Sequence, residues 1–155
     1  MKNQFLPFVW SLWFLEVGVI NVKYEGTTTM NFFDAVKICF VKYTNFSDRA
    51  SRSEFWLFTL FMTIITVILS FIDPLIAGES FLEYDEVFAP LSTIFILATI
   101  IPAISVSVRR LHDVNRSGWW LLIELTIIGM IFPILYWCCK KGDEVENRFG
   151  SKPLA

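Results

Sequence analysis

Charge is scarce in this 155-residue sequence: Asp, Glu, Lys and Arg make up 18 % of it, against about a quarter in an ordinary soluble domain. So little charge excludes a disordered segment and a nucleic-acid-binding chain. Cysteine is scarce too. Cys39, Cys138 and Cys139 are too few for a disulfide framework, and two are adjacent, so they read as small hydrophobes. Histidine occurs once, at position 112. The H-E-x-x-H, C-x-x-C and glycine-rich phosphate-loop patterns are all missing, so the sequence offers no metal site and no cofactor. Apolar residues are what it has in excess: 55 % hydrophobic and 17 % aromatic, with a mean hydropathy of +0.56. A soluble fold of this size could not hide that much apolar surface. The solvent of this chain is lipid.

Three long runs carry the hydrophobicity: residues 55–72 and 87–108, free of charge, and 118–139, with one acid. As helices they extend about 27 to 33 Å, the thickness of a hydrocarbon core. Leu, Ile, Phe and Met follow one another without the polar alternation of a barrel strand, which favours helices. The expected fold is an all-α integral membrane bundle of three transmembrane helices, preceded by an amphipathic interfacial helix.

Charges are segregated along the chain. Residues 73–86 hold five acids and no Lys or Arg, and face outward. Lys37, Lys42, Arg49 and Arg52 precede the first run, and Arg109, Arg110 and Arg116 follow the second. These seven belong inside. Three crossings then put Lys140, Lys141, Arg148 and Lys152 outside, against the positive-inside rule. We read the third run as a full span. The alternative is a re-entrant segment bent near Gly129 and Pro133, which returns the tail to the cytoplasm.

Residues 31–46 behave differently. At 100° per residue Phe32, Phe33, Ala35, Val36, Cys39, Phe40, Tyr43 and Phe46 fall on one arc of about 160°, flanked by Lys37 and Lys42. This is a helix lying on the cytoplasmic surface, or packed on the inner end of the bundle, or both. Ser51-Arg-Ser-Glu54 is a capping box that opens the first membrane helix. Residues 1–29 form an N-terminal extension ahead of a membrane domain at 30–155. Residues 5–20 are a poor signal peptide, and read either as a short extra membrane segment or as a tail upstream of a start at Met30.

Three stretches carry a family resemblance: Arg49-Ala-Ser-Arg52-Ser-Glu54-Phe-Trp56, Arg109-Arg110-Leu-His112-Asp113 with Ser117-Gly-Trp-Trp120, and Asn147-Arg148-Phe-Gly150 with Pro153. In these the chain resembles the bacterial inner-membrane family known as domain of unknown function 805, from about residue 30 to the C-terminus. Residues 1–29 and Glu124 depart from the pattern. The resemblance implies a small multi-pass protein of the bacterial inner (plasma) membrane, and no known reaction, substrate or cofactor.

The residues themselves suggest what these motifs do. Asp113 lies three positions from Arg110 and four from Arg109, so on a continuous helix it can bridge to either. Arg109, Arg110, His112, Asp113 and Arg116, with Arg52, form a candidate site for a phosphate or lipid headgroup. The competing reading is a structural turn in which Asp113 neutralises anchoring arginines. Asn147, Arg148 and Gly150 are the marked residues of the tail. Glu124, about 9 Å inside the third run, is an intramembrane acid that snorkels, pairs with an arginine or binds a cation. Trp56, Trp119 and Trp120 suit an aromatic belt. Thr99, Ala103 and Ser107 form a small-residue strip for helix packing.

The expected function is that of a non-enzymatic component that binds a protein partner or anionic membrane lipids, without nucleic acid. An oligomeric transporter or channel subunit lined by Glu124, possible only as a homo-oligomer, is the alternative. An enzyme acting on a lipid phosphate is a third reading.

Overall fold

The computed structural model of the chain describes residues 30–78, 89–125 (backbone only at 124 and 125) and 134–153. Among these the chain is helical: α1 (Phe32–Val41), α2 (Arg52–Ala77), α3 (Pro90–Asp113), a 3-10 segment (Gly118–Leu125) and a short α4 (Leu135–Cys139). Only α2 and α3 are long and apolar enough among the described residues to cross a membrane.

Each long helix starts where the sequence provides a cap. Ser51 Oγ accepts the Glu54 N–H at 3.2 Å, one half of the expected capping box. The other half is not made, because the Glu54 carboxylate is turned toward Arg109. Pro90 occupies the first turn of α3 without a side-chain cap from Ala89. The cap comes instead from α2: the Asp73 carboxylate accepts the backbone N–H of Leu91 (3.0 Å) and Ser92 (3.1 Å) and the Ser92 hydroxyl (2.6 Å). A carboxylate on the positive end of a helix is favourable twice over, by hydrogen bonding and by the dipole.

Glu54 to Arg109 and Asp73 to Ser92 are therefore polar clamps at opposite ends of an antiparallel pair. Asp73 lies nineteen positions after Glu54 along α2, a rise of about 28 Å, which matches the apolar thickness of a bilayer. Between the clamps α2 and α3 present Ile64, Ile68, Ile94, Leu97 and Ile100 outward.

The amphipathic α1 packs on this pair rather than beside it. Ala35 and Cys39 are buried, and Phe40 meets the rings of Phe58 and Phe61 at 5.9 and 6.1 Å. These partners lie one to two turns inside Glu54. Phe33, 80 % exposed, and Val41 point away from the bundle at the same level. One side of the helix thus packs on the bundle, and aromatic and aliphatic residues on the other are exposed.

The turn after α1 repairs a defect in α3. Pro102 has no N–H to offer the carbonyl of Ala98 four residues back. The Tyr43 hydroxyl donates to that oxygen at 2.7 Å. One turn further along, the Ser105 hydroxyl reaches the Lys42 and Asn45 carbonyls at 3.1 and 2.7 Å, so α3 and the turn exchange hydrogen bonds in both directions.

Of the third apolar run the structure describes residues 118–125 and 134–139. These form the 3-10 segment and α4, and the two described ends lie together. Gly118 touches α3 so closely that an added Cβ would stand 2.7 Å from Val108 Cγ1. At the other end Arg110 Nε donates to the Cys138 carbonyl at 3.1 Å, and the Asp143 N–H to the Asp113 carbonyl at 2.8 Å. The Trp120 and Trp137 rings, one from each limb, meet at 5.3 Å. Both described ends of the run therefore lie against the same end of α3. Among the described residues two spans are found, α2 and α3, and the tail carbonyls are bound to an arginine at the end of α3. Gly129 and Pro133, the expected bend, lie outside the described residues.

Removing the Tyr43 hydroxyl leaves the Ala98 carbonyl without a partner in an apolar setting, so Tyr43→Phe should cost about 1–3 kcal/mol. Residue 102 with an N–H would satisfy the same oxygen. Tyr43→Phe in a Pro102→Ala background should therefore cost only a few tenths of a kcal/mol. Denaturant unfolding of the four proteins in detergent checks this, and equal costs in both backgrounds would refute the pairing.

Candidate functional site

The last turn of α3 carries Arg109, Arg110, His112 and Asp113, all buried. The Asp113 carboxylate holds two guanidinium groups. Arg49 donates to Oδ1 through Nε (3.0 Å) and Nη2 (2.9 Å), and Arg110 donates to Oδ2 through Nη1. Asp113 thus pairs with Arg110, as its i,i+3 spacing allows, and not with Arg109. Arg109 turns to the other side of the helix and pairs with Glu54. No side chain in these pairs is more than 5 % exposed. The layer contains three arginines and two acids, an excess of one positive charge. The Nε and Nη2 of Arg109 meet no partner among the described residues.

Buried ions are tolerated when their remaining donors and acceptors are satisfied, and here the tail supplies the acceptors. Arg49 Nη1 donates to the carbonyls of Val145 (2.7 Å) and Gly150 (3.2 Å), and its Nη2 to that of Asp143. Arg110 donates to the carbonyls of Cys138, Trp137 and Lys140. The tail needs glycine at two places to lie this way. A Cβ at Gly142 would fall 1.8 Å from Asp113 Oδ2, and Gly150 has φ +121°, where side chains are strained.

Every residue of the Asn147-Arg148-Phe149-Gly150 stretch has a partner in the fold. Asn147 Nδ2 donates to the His112 carbonyl at 3.0 Å. Arg148 Nη2 donates to the Asn115 carbonyl at 3.2 Å. The Phe149 ring stacks flat on the His112 imidazole, centroids 3.8 Å apart, and Gly150 takes the Arg49 hydrogen bond. His112 Nδ1 lies 3.3 Å from the Asp48 carbonyl, so one face and one nitrogen of the imidazole are engaged by the fold.

Around the buried layer lies a partly exposed rim. Arg116 is exposed, with its guanidinium carbon 5.1 Å from the centroid of the Trp137 ring. Arg148 is exposed as well, over Phe149 at 4.6 Å. Arg52, the first residue of α2, is half-buried. On the outer side of the tail Lys141 and Lys152 hold the Glu144 carboxyl down at about 2. Burial, with the Glu54 carboxylate 3.8 Å away, pushes the Cys39 thiol up to about 12, so Cys39 stays a neutral thiol.

The sequence-derived candidates therefore separate. Arg109, Arg110, His112 and Asp113 are packed inside the layer, and Arg116, Arg148 and Arg52 stand around it. The side chain of Glu124 lies outside the described residues. Arg49 and Glu54 are essential members that spacing along one helix does not reveal. Their signal is the Arg49-x-x-x-x-Glu54 stretch itself, which carries a cation for Asp113 and an anion for Arg109.

Asp113→Asn leaves Arg49 and Arg110 buried without their counter-ion, a loss of about 3–5 kcal/mol. Gly142→Ala attacks the same contact sterically. Both should release the tail, and limited proteolysis should then cut between residues 140 and 153 faster than in the parent. A tail equally protected in Gly142→Ala would contradict the close packing of Gly142 on Asp113.

Comparison with known proteins agrees with this picture of a membrane chain whose motifs meet in one place. A family model described as a protein of unknown function (DUF805) matches residues 43–151. The inner membrane protein YhaI of Escherichia coli (strain K12) is 38 % identical over 112 residues, covering 72 % of this chain and 87 % of YhaI. The inner membrane protein YhaH of the same strain is 36 % identical over 117 residues, covering 72 % of this chain and 88 % of YhaH. No solved structure matches. The chain is an inner membrane protein and belongs to the DUF805 family.

Proposed function

We propose that this protein is a non-enzymatic component of the bacterial inner membrane whose basic, cytoplasmic end recognises anionic groups, either lipid headgroups or an acidic stretch of a partner protein. The observation that carries this reading is the division of charge between the two ends of the α2–α3 pair. The end that holds the ionic layer gathers eleven Lys and Arg against seven Asp and Glu, while residues 73–86 at the other end contain five acids and no cation. Such a division orients the chain with the layer inside, and two crossings keep the tail cations there as well.

Three of the arginines are spent in the layer. Contact with a ligand falls to the rim, where Arg116 and Arg148 are exposed and Arg52 half-buried. The engaged His112 ring and the raised Cys39 thiol favour a binding role over acid–base or nucleophilic chemistry.

Reconstitution into nanodiscs of phosphatidylcholine, with and without phosphatidylglycerol, tests the reading. Anionic lipid should raise the unfolding midpoint and be enriched among lipids retained after mild extraction, by about 1 kcal/mol per engaged charge, and added salt should reduce both effects. Equal stability in both bilayers, with no acidic protein co-purifying in a salt-sensitive way, would refute it.

A further inference from the structure

We infer that Arg116 and Arg148 form a binding site for the phosphate of an anionic phospholipid, built around the turn at Asn115. This rests on the proposed recognition of anionic groups and names the place and the ligand.

The turn is rigid and presents cations. Asn115 sits in the left-handed region at φ 57°, which Asn tolerates better than most residues. Its N–H donates to the His112 carbonyl at 3.0 Å, and the Arg116 N–H to that of Leu111 at 2.9 Å, so the reversal after α3 is fixed by backbone hydrogen bonds. Arg116 leaves this turn as an exposed side chain that pairs with no carboxylate among the described residues, with its guanidinium held over Trp137. A guanidinium supported on an aromatic face keeps its edge N–H groups free for a phosphate. From the tail, Arg148 bonds the carbonyl of the same Asn115 and likewise pairs with no carboxylate among the described residues. Two cations on either side of one turn, next to a buried layer that already carries an excess positive charge, attract an anion.

The surface beside the turn identifies the source of the phosphate. Trp119 is 77 % exposed and Trp120 42 % exposed. The two follow the turn directly and lead into the apolar third run. A soluble phosphate has no use for that surface. A phospholipid brings its headgroup to the arginines and its acyl chains to the tryptophans, at the depth where aromatic belts lie.

The test uses the full chain in a non-ionic detergent, titrated with short-chain phosphatidylglycerol, short-chain phosphatidylcholine or inorganic phosphate, with bound ligand counted by native mass spectrometry. Arg116→Gln and Arg148→Gln should each weaken phosphatidylglycerol binding about fivefold, the factor that corresponds to about 1 kcal/mol per charge. Arg116→Lys should lose less, because it keeps the charge. Phosphatidylcholine should bind more weakly than phosphatidylglycerol to the parent, and the gap should narrow in each Gln variant. Arg116 lies outside the buried layer, and an unchanged elution volume confirms that its variants fold. Parent-like phosphatidylglycerol binding in both Gln variants would overturn the site while leaving the broader reading intact. A parent with no preference for the anionic lipid would overturn both. Inorganic phosphate that competes as well as the lipid would overturn the lipid as the source.

Discussion

One carboxylate, that of Asp113, lies between the guanidinium groups of Arg49 and Arg110 with almost no access to water. Removing charges from water costs several kcal/mol per ion even after relaxation, and attraction alone rarely returns it. The cost is met here because nearly every other donor of the two arginines finds a backbone carbonyl. Those carbonyls belong to the segment that follows the third apolar run. The ion pair therefore does more than close the end of α3: it determines where the tail lies.

The same economy governs the rest of the bundle. In lipid each backbone polar group must be satisfied within the protein, and the two positions where α3 would fail are covered by side chains from other elements. Asp73 caps its start from α2, and Tyr43 covers the carbonyl exposed by Pro102. Both partners are short-range in space and distant in sequence, and they hold α2, α3 and the turn after α1 in one register. The clamps at Asp73 and Glu54 lie about one bilayer thickness apart, so the polar ends and the apolar middle fit a membrane without further adjustment.

Much of this was legible from residue order. Length and composition gave the membrane helices, the Ser51 cap follows from its pattern, and the Arg110 to Asp113 pair follows from helical spacing. What lay beyond reach depended on pairs that no periodicity encodes. Asp113 has two arginines at helical distance, and spacing alone cannot say that Arg109 turns away to Glu54, 55 positions earlier. Nor does hydropathy distinguish a run that crosses from one that returns, since both need the same apolar residues. The tail cations conflict with a third full crossing, and the carbonyl contacts of Arg49 and Arg110 hold that tail at the end of α3.

The proposed topology puts the layer and the tail on the cytoplasmic side together, so thiol accessibility in intact cells tests it most directly. Cysteine-free protein carrying a single new cysteine at Ser80, Asn115 or Ser151 is exposed to a membrane-impermeant maleimide. With the layer intact, Ser80→Cys reacts from outside, while Asn115→Cys and Ser151→Cys react only after the membrane is opened. External labelling of Ser151→Cys with Asn115→Cys still protected would place the two ends of the third run on opposite sides, and would contradict the Asp113-centred layer.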